Sequence, residues 1–322
     1  MSEIELLQKQ LESLQKKLDT QETMRELFKR TISGIYTNSN LSIPTPSPTG
    51  NKNHQEIRVL HLSDIQYGKI TATYNPKIAH QRLMNIVSIV GHIIEAHRTH
   101  SKIERLHLYL GGDIIEGHDI FPGQGQQIAF GSYRQAKGVS ESLAALIIGL
   151  LKYVKRIKIL CVPGNHGRIG KDDPDSNWDT QVYDLVKLRV NNPRIEFPDP
   201  GNWYQTDRIL DWGTLLVHGH QIQGSGAGFP LNGVTRKAMG WIDSIAESWD
   251  YLFFGHFHTL SSCVLNHRVI LSNGSPESDN TYAQETMAAT GSPVQRLCFF
   301  DKKHGMIADY PLYLDGRKPN RK

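Results

Sequence analysis

The chain has 322 residues, of which 39% are hydrophobic and 21% charged, the balance of a globular protein with one large domain or two small ones. A formal net charge of +4 is too small to argue for nucleic acid on its own, and it leaves an anionic substrate open. Three scattered cysteines with no CxxC pair exclude a disulfide framework and a thiolate zinc site, and they fit a reducing, cytoplasmic setting.

The opening residues, "MSEIELLQKQ", are charged and do not read as a secretory signal. Ile4, Leu7, Leu11, Leu14 and Leu18 recur at steps of three and four, the seam of a short coiled coil, and Met24, Leu27 and Phe28 continue a looser apolar face. Residues 1–36 are therefore expected to form an amphipathic, coiled-coil helix through which the chain self-associates. Residues 37–55 are rich in Asn, Ser, Thr and Pro and read as a linker. From residue 56 to 322 the texture is that of one folded domain. "IRVLHLSD", "RLHLYLGGD" and "IKILCVPGNH" read as buried strands, separated by a helix opened by Pro76 and a second helix over "SESLAALIIGLLKYVK". "TLLVHGH" and "YLFFGHFH" are further apolar runs ending in histidines, and the pattern after Leu260 is one of paired strands. Alternating strands and helices predict an α/β fold with parallel βαβ units. The longest apolar stretch, "LAALIIGLL", is far too short to span a bilayer, so no membrane partner is expected.

Five apolar runs end in metal-type side chains: Asp64 and Gln66; Asp113 and Glu116; Asn165 and His166; His218 and His220; His256 and His258. In open α/β sheets ligands bind outside the carboxyl ends of the strands, so strands pointing one way bring these residues to a single rim. The donors are oxygen and imidazole nitrogen with no thiolate, and they are too numerous for one ion. Two divalent cations sharing a carboxylate fit the inventory, and such pairs, about 3.5–4 Å apart, suit cleavage of phosphate esters.

"SDIQ", "GGDIIE", "GNHG", "VHGH" and "GHFH", in that order, resemble the five blocks of the calcineurin-like metallophosphoesterases. The resemblance runs from about Ile57 to His258 and implies a metallophosphoesterase-type β-sandwich flanked by helices, here preceded by the coiled-coil helix. It implies that Asp113 bridges two divalent ions, with Asp64 and His258 on the first and Asn165, His218 and His256 on the second. A hydroxide between the metals would be the nucleophile. His166 would be the proton donor to the leaving oxygen, oriented by Glu116, and His220 has no ligand role. Gln66 stands where the family usually has histidine. It is either a spacer or a neutral oxygen ligand, and the latter favours manganese, ahead of magnesium, zinc or iron. Lys69 and Arg168 follow ligand blocks closely and are either substrate-phosphate contacts or solvated loop charges. "QGSGAGFP" and "FPGQGQQIAFGSYRQ" are expected as loops walling the site.

The "EGHD" and "GNHG" sequences differ from the protein-phosphatase blocks, whereas "GHFH" is similar to the DNA-repair nuclease branch. The expected activity is thus a metal-dependent phosphodiesterase acting on DNA, as exonuclease or single-strand endonuclease. A phosphatase or phosphodiesterase of small nucleotides or phosphoproteins is the alternative. A metal-binding scaffold with weak turnover is the third reading, opposed by the intact His166.

Overall fold

The computed structural model describes residues 9, 12, 13, 55–98, 101–121, 123–169, 176–199, 202–223, 229–279 and 292–315. The chain divides into two compact units, Met1–Ser42 and Ile43–Lys322, and every element below belongs to the second. The expected coiled-coil helix over 1–36 and linker over 37–55 lie outside the described residues, apart from helical positions at Lys9, Glu12 and Ser13 and the strand residue Gln55.

In chain order the elements are β1 (Gln55–Leu62), α1 (Pro76–His97), β2 (Lys102–Leu110), α2 (Ser132–Leu150), β3 (Arg156–Cys161), α3 (Trp178–Arg189) and β4 (Ile195–Glu196). There follow β5 (Tyr204–Ile209), β6 (Trp212–Val217), α4 (Leu231–Ser244), β7 (Tyr251–Phe254), β8 (Ser261–Leu265), β9 (Arg268–Ser272), β10 (Val294–Asp301) and β11 (Gly305–Tyr313). The strands form two sheets, where the strand pattern alone was compatible with one. The first has the order β11-β10-β1-β2-β3-β4, with β1 to β4 parallel; the second has the order β5-β6-β7-β9-β8, with β6, β7 and β9 parallel. The late strands divide between them: the β8–β9 hairpin closes the second sheet, and β10–β11 extends the first beside β1.

Burial on both faces explains the unbroken apolar runs. In β1, Leu60 and Leu62 join the core under the helices while Ile57 and Val59 join the core between the sheets; in β10, Leu297 and Phe299 divide from Cys298 and Phe300 in the same way. Helix α1 begins where expected, because Asn75 accepts from the Lys77 and Ile78 N–H groups and Pro76 takes the first turn. Its buried Leu83, Ile86, Val90 and Ile94 contribute roughly 2 kcal/mol each in apolar transfer. Helix α2 starts at Ser132, eight positions before the run that marked it in sequence. The Gln135 amide, bonded to Gly117 and Phe130, holds that extra turn, and Ala136 and Val139 carry the buried stripe back to it. On the far side, α4 buries Val234, Ala238 and Trp241 against Leu215, Val217, Leu252 and Phe254. The result is helices, sheet, sheet and helix in layers, the α/β sandwich that the resemblance implied. No helix among the described residues is long and apolar enough to cross a membrane.

Candidate metal centre

The five polar strand ends meet at one rim, three from the first sheet and two from the second. Backbone contacts lock the rim together: His218 Nδ1 donates to Gly111 O at 2.7 Å, and the His256 N–H donates to both Asp64 oxygens at 3.0 Å. Two groups of donors result. In one, Asp113, His218 and His256 offer ligand atoms within 4.8 Å of one another, and His218 Nε2 lies 3.1 Å from both Asp113 Oδ2 and Asn165 Oδ1. In the other, His258 Nε2 lies 3.5 Å from Asp64 Oδ1 and 3.3 Å from Gln66 Nε2.

The donor chemistry fits divalent cations. Because Gly111 O can only accept, His218 carries a proton on Nδ1, which leaves Nε2 facing two oxygen acceptors. Burial alone would depress the His218 imidazole, but the Asp113 carboxylate drives it up to about 9, as if a positive charge belonged there. Burial and the neighbouring His218 lower His256 to about 3, so it stands neutral and able to donate a lone pair. Gln66 Oε1 is buried without a hydrogen-bond partner, an arrangement that costs about 1–3 kcal/mol unless a cation meets it.

Five of these ligand candidates share a backbone feature. Asp64, Gln66, Asp113, His256 and His258 all have left-handed φ, between 45° and 67°. Each such non-glycine residue costs about 1–2 kcal/mol, and their concentration at one rim marks a functional site. Two glycines are required by close approach. A Cβ on Gly164 would lie 2.1 Å from Asp113 Oδ1, and one on Gly255 would lie 2.2 Å from Asp64 Oδ2. The "GN" and "GH" of the motifs are thus steric conditions for the carboxylates opposite.

His166 sits at the edge of this cluster, half-buried, with its backbone N–H on Asp113 Oδ1 at 2.7 Å. Its Nδ1 donates to Glu116 O at 2.9 Å and lies 3.4 Å from Glu116 Oε2. Burial opposes its charge, but Asp113 and Glu116 outweigh burial and raise His166 to about 10, so both carboxylates favour the protonated ring. Glu116 is fully buried; burial raises its carboxyl, and the His166 hydrogen bond and charge bring it below the usual range.

Lys69 corrects a sequence expectation. It is neither a solvated loop charge nor open to a substrate phosphate: it is 1% exposed, with Nζ 3.4 Å from Glu116 Oε1 and 3.7 Å from Glu277 Oε2. Arg168 is exposed and bonds Asn165 O through Nε at 2.9 Å. His220 is exposed, with its ring centroid 5.5 Å from that of His218. In the "FPGQGQQIAFGSYRQ" segment, whose residue 122 lies outside the described residues, buried Gln124 donates to Glu116 and buried Gln135 bonds Gly117. Of "QGSGAGFP", residues 224–228 lie outside the described residues.

Two carboxylates escaped the sequence reading. Glu277, in the loop after β9, lies 3.7 Å from His258 Nδ1. Asp179, in the first turn of α3, accepts from the backbone N–H groups of Asp113, Ile114, Ile115 and Gly164. Burial and the charge of Asp113 push Asp179 up to about 6. "SNWDTQ" reads as a helix start through Asn177, whereas nothing in it announces which loops its acid would hold.

No protein-family model matches the chain, and no curated protein matches it. Solved structures do. An archaeal phosphodiesterase is 13% identical over 79% of this chain and 99% of its own, with a TM-score of 0.39. YfcE, a phosphoesterase from E. coli, is 14% identical over 80% and 100%, with a TM-score of 0.36. Vps29 from Entamoeba histolytica, complexed with zinc, is 14% identical over 80% and 99%, with a TM-score of 0.34. In the order of its five blocks, its paired sheets and its oxygen and imidazole donors, the chain resembles the calcineurin-like metallophosphoesterase superfamily.

Proposed function

We propose that the chain is a metal-dependent phosphoesterase that holds two divalent ions, manganese foremost, and cleaves phosphodiesters, with DNA as the leading substrate. The observation that carries this reading is the pair of donor groups on one rim, with His166 braced between Asp113 and Glu116. Asn165, His218 and His256 would hold one ion and Asp64, Gln66 and His258 the other, with Asp113 serving both. Bound there, such ions polarise phosphoryl oxygens and acidify water. The chain's own part is to position and protonate. Glu116 fixes the His166 ring through Nδ1, so Nε2 is the atom left to give a proton to the departing ester oxygen. The departures from the protein-phosphatase blocks support a diester over a phosphoprotein.

A smaller substrate is favoured by a cavity of about 410 Å³ lined by Gln223, Phe229, Leu231 and Arg236 among others. The Phe229 ring lies 6.4 Å from that of Phe257, the residue after His256, and the cavity has the size of a small-ligand pocket. We further propose a cytoplasmic setting, and self-association through residues 1–36; removing residues 1–50 should lower the mass in solution to that of one chain, and an unchanged mass refutes it.

The deciding experiment supplies manganese or chelator to the purified protein with single-stranded DNA, duplex DNA, bis(p-nitrophenyl) phosphate or p-nitrophenyl phosphate. Chelator-sensitive cleavage of DNA and the diester is expected. Cleavage of the monoester alone sinks the diesterase, and binding of metal without any turnover leaves a scaffold.

A further inference from the structure

We propose that Asp179 is a positioning residue that sets the separation between the Asp113 loop and the Asn165 loop, and through it the affinity of the site they share. The inference rests on the metal-dependent reading above. Asp179 is fully buried and touches no substrate-facing atom; its partners are all backbone. Its Oδ2 accepts from Asp113 N and from Gly164 N, both at 2.8 Å, so a single oxygen ties the turn after β2 to the turn after β3. Its Oδ1 accepts from Ile114 N at 3.0 Å and Ile115 N at 3.4 Å, completing the turn that carries Asp113. Charge-assisted bonds of this kind are about twice as strong as neutral ones, enough to offset the left-handed φ of 51° at Asp113.

The carboxylate is itself fixed. Asn177 caps α3, accepts from Asp179 N at 2.8 Å and donates to Gly164 O at 2.8 Å. The start of α3 therefore grips both the donor and the acceptor of Gly164, one residue before the candidate ligand Asn165. A carboxamide cannot copy this arrangement. Each carboxylate oxygen takes two N–H groups, so whichever position becomes NH2 in Asp179→Asn faces a pair of donors and leaves both unpaired.

The test is calorimetric titration of Mn2+ into the wild-type chain, Asp179→Asn and Val186→Ala, with thermal midpoints in chelator. Val186 is buried on the same helix in the core under the helices, so its variant loosens α3 while every hydrogen bond to the Asp113 turn is kept. Asp179→Asn is expected to bind Mn2+ about 10–100-fold more weakly, the usual cost of losing a group that orients ligands, while Val186→Ala keeps near wild-type affinity. Wild-type affinity in Asp179→Asn overturns the proposal, as does an equal loss in Val186→Ala at a similar midpoint. If Asp179→Asn does not fold, Asp179→Glu is titrated instead: its longer carboxylate should also weaken binding, and unchanged affinity is again fatal. A wild-type chain that takes up no Mn2+ is a different failure, since it removes the metal-dependent reading itself.

Discussion

The Lys69 ammonium and the Glu116 carboxylate face each other at 3.4 Å inside the protein, with side-chain exposures of 2% and 0%. Glu277 stands 3.7 Å away on the other side of the same ammonium. Glu116 holds His166 and Glu277 approaches His258, so one buried cation is shared by the two carboxylates that brace the proposed proton donor and a candidate ligand. Lys69→Met keeps the length of the side chain and removes the cation that two buried carboxylates share. Removing one partner of a buried ion pair costs about 3–5 kcal/mol. Urea unfolding in chelator should show a loss of that size, and a loss below about 1 kcal/mol would mean that solvent or relaxation replaces the ammonium.

His166 carries a separable prediction. Its side chain braces on Glu116, while only its backbone N–H touches Asp113. His166→Ala should therefore lower kcat on the diester about 10²–10⁴-fold, the usual worth of a positioned acid, with Mn2+ content intact. Loss of metal in this variant would show that the imidazole is a ligand after all.

Between the sheets, away from the rim, a third buried carboxylate makes a pH prediction. Asp207 of β5 accepts from His107 Nδ1 at 2.5 Å and Tyr109 OH at 2.9 Å on β2, and from Lys158 Nζ at 2.9 Å on β3. Burial raises its carboxyl, but the His107 hydrogen bond and Lys158 overcome burial and hold it below the ordinary value. A folded value below the unfolded one of about 3.9 means stability that is present above that pH and lost as pH falls through the folded value. At pH 7 Asp207→Asn should cost about 3–5 kcal/mol by urea unfolding in chelator. The gap between wild type and variant should narrow as pH falls below about 4. A gap of constant size would show that the hydrogen bonds, and not the charge, hold the sheets together.

What the sequence made legible follows from burial. Each strand of the rim is closed on both faces, so an apolar run that suddenly ends in Asp, Asn or His stands out, and all five ends were found this way. The resemblance implied a sandwich, but double burial hid which sheet each strand joins, because β3 and β6 read alike as continuous apolar runs while belonging to different layers. Lys69 was misplaced for a related reason. Three residues past Gln66 it read as a substrate contact or a solvated loop charge, and the acids that pair with it, Glu116 and Glu277, lie 47 and 208 positions further along the chain. The left-handed backbone at Asp64, Gln66, Asp113, His256 and His258 had no signal at all, since none of them is glycine. Asp179 shows the limit most sharply: a helix cap is a local pattern, whereas four N–H groups drawn from two other turns are a product of the assembled fold.

Gln66 distinguishes the two proposed ion sites. Its Oε1 is the only oxygen it can offer, buried and without a hydrogen-bond partner, and its neighbour His258 also faces Asp64. A neutral amide oxygen is a harder and weaker donor than imidazole, so the Asp64–Gln66–His258 group should favour Mn2+ and hold Zn2+ loosely. The wild-type chain should then titrate with one tight and one weak Zn2+, the tight one belonging to Asp113, Asn165, His218 and His256. Gln66→His replaces the amide by imidazole at a position that is 2% exposed, and should tighten the weak Zn2+ while leaving the first unchanged. Two equally tight Zn2+ ions in the wild type, or a weak site that the substitution does not move, would make Gln66 a spacer. Any preference for manganese would then have to come from the carboxylates alone.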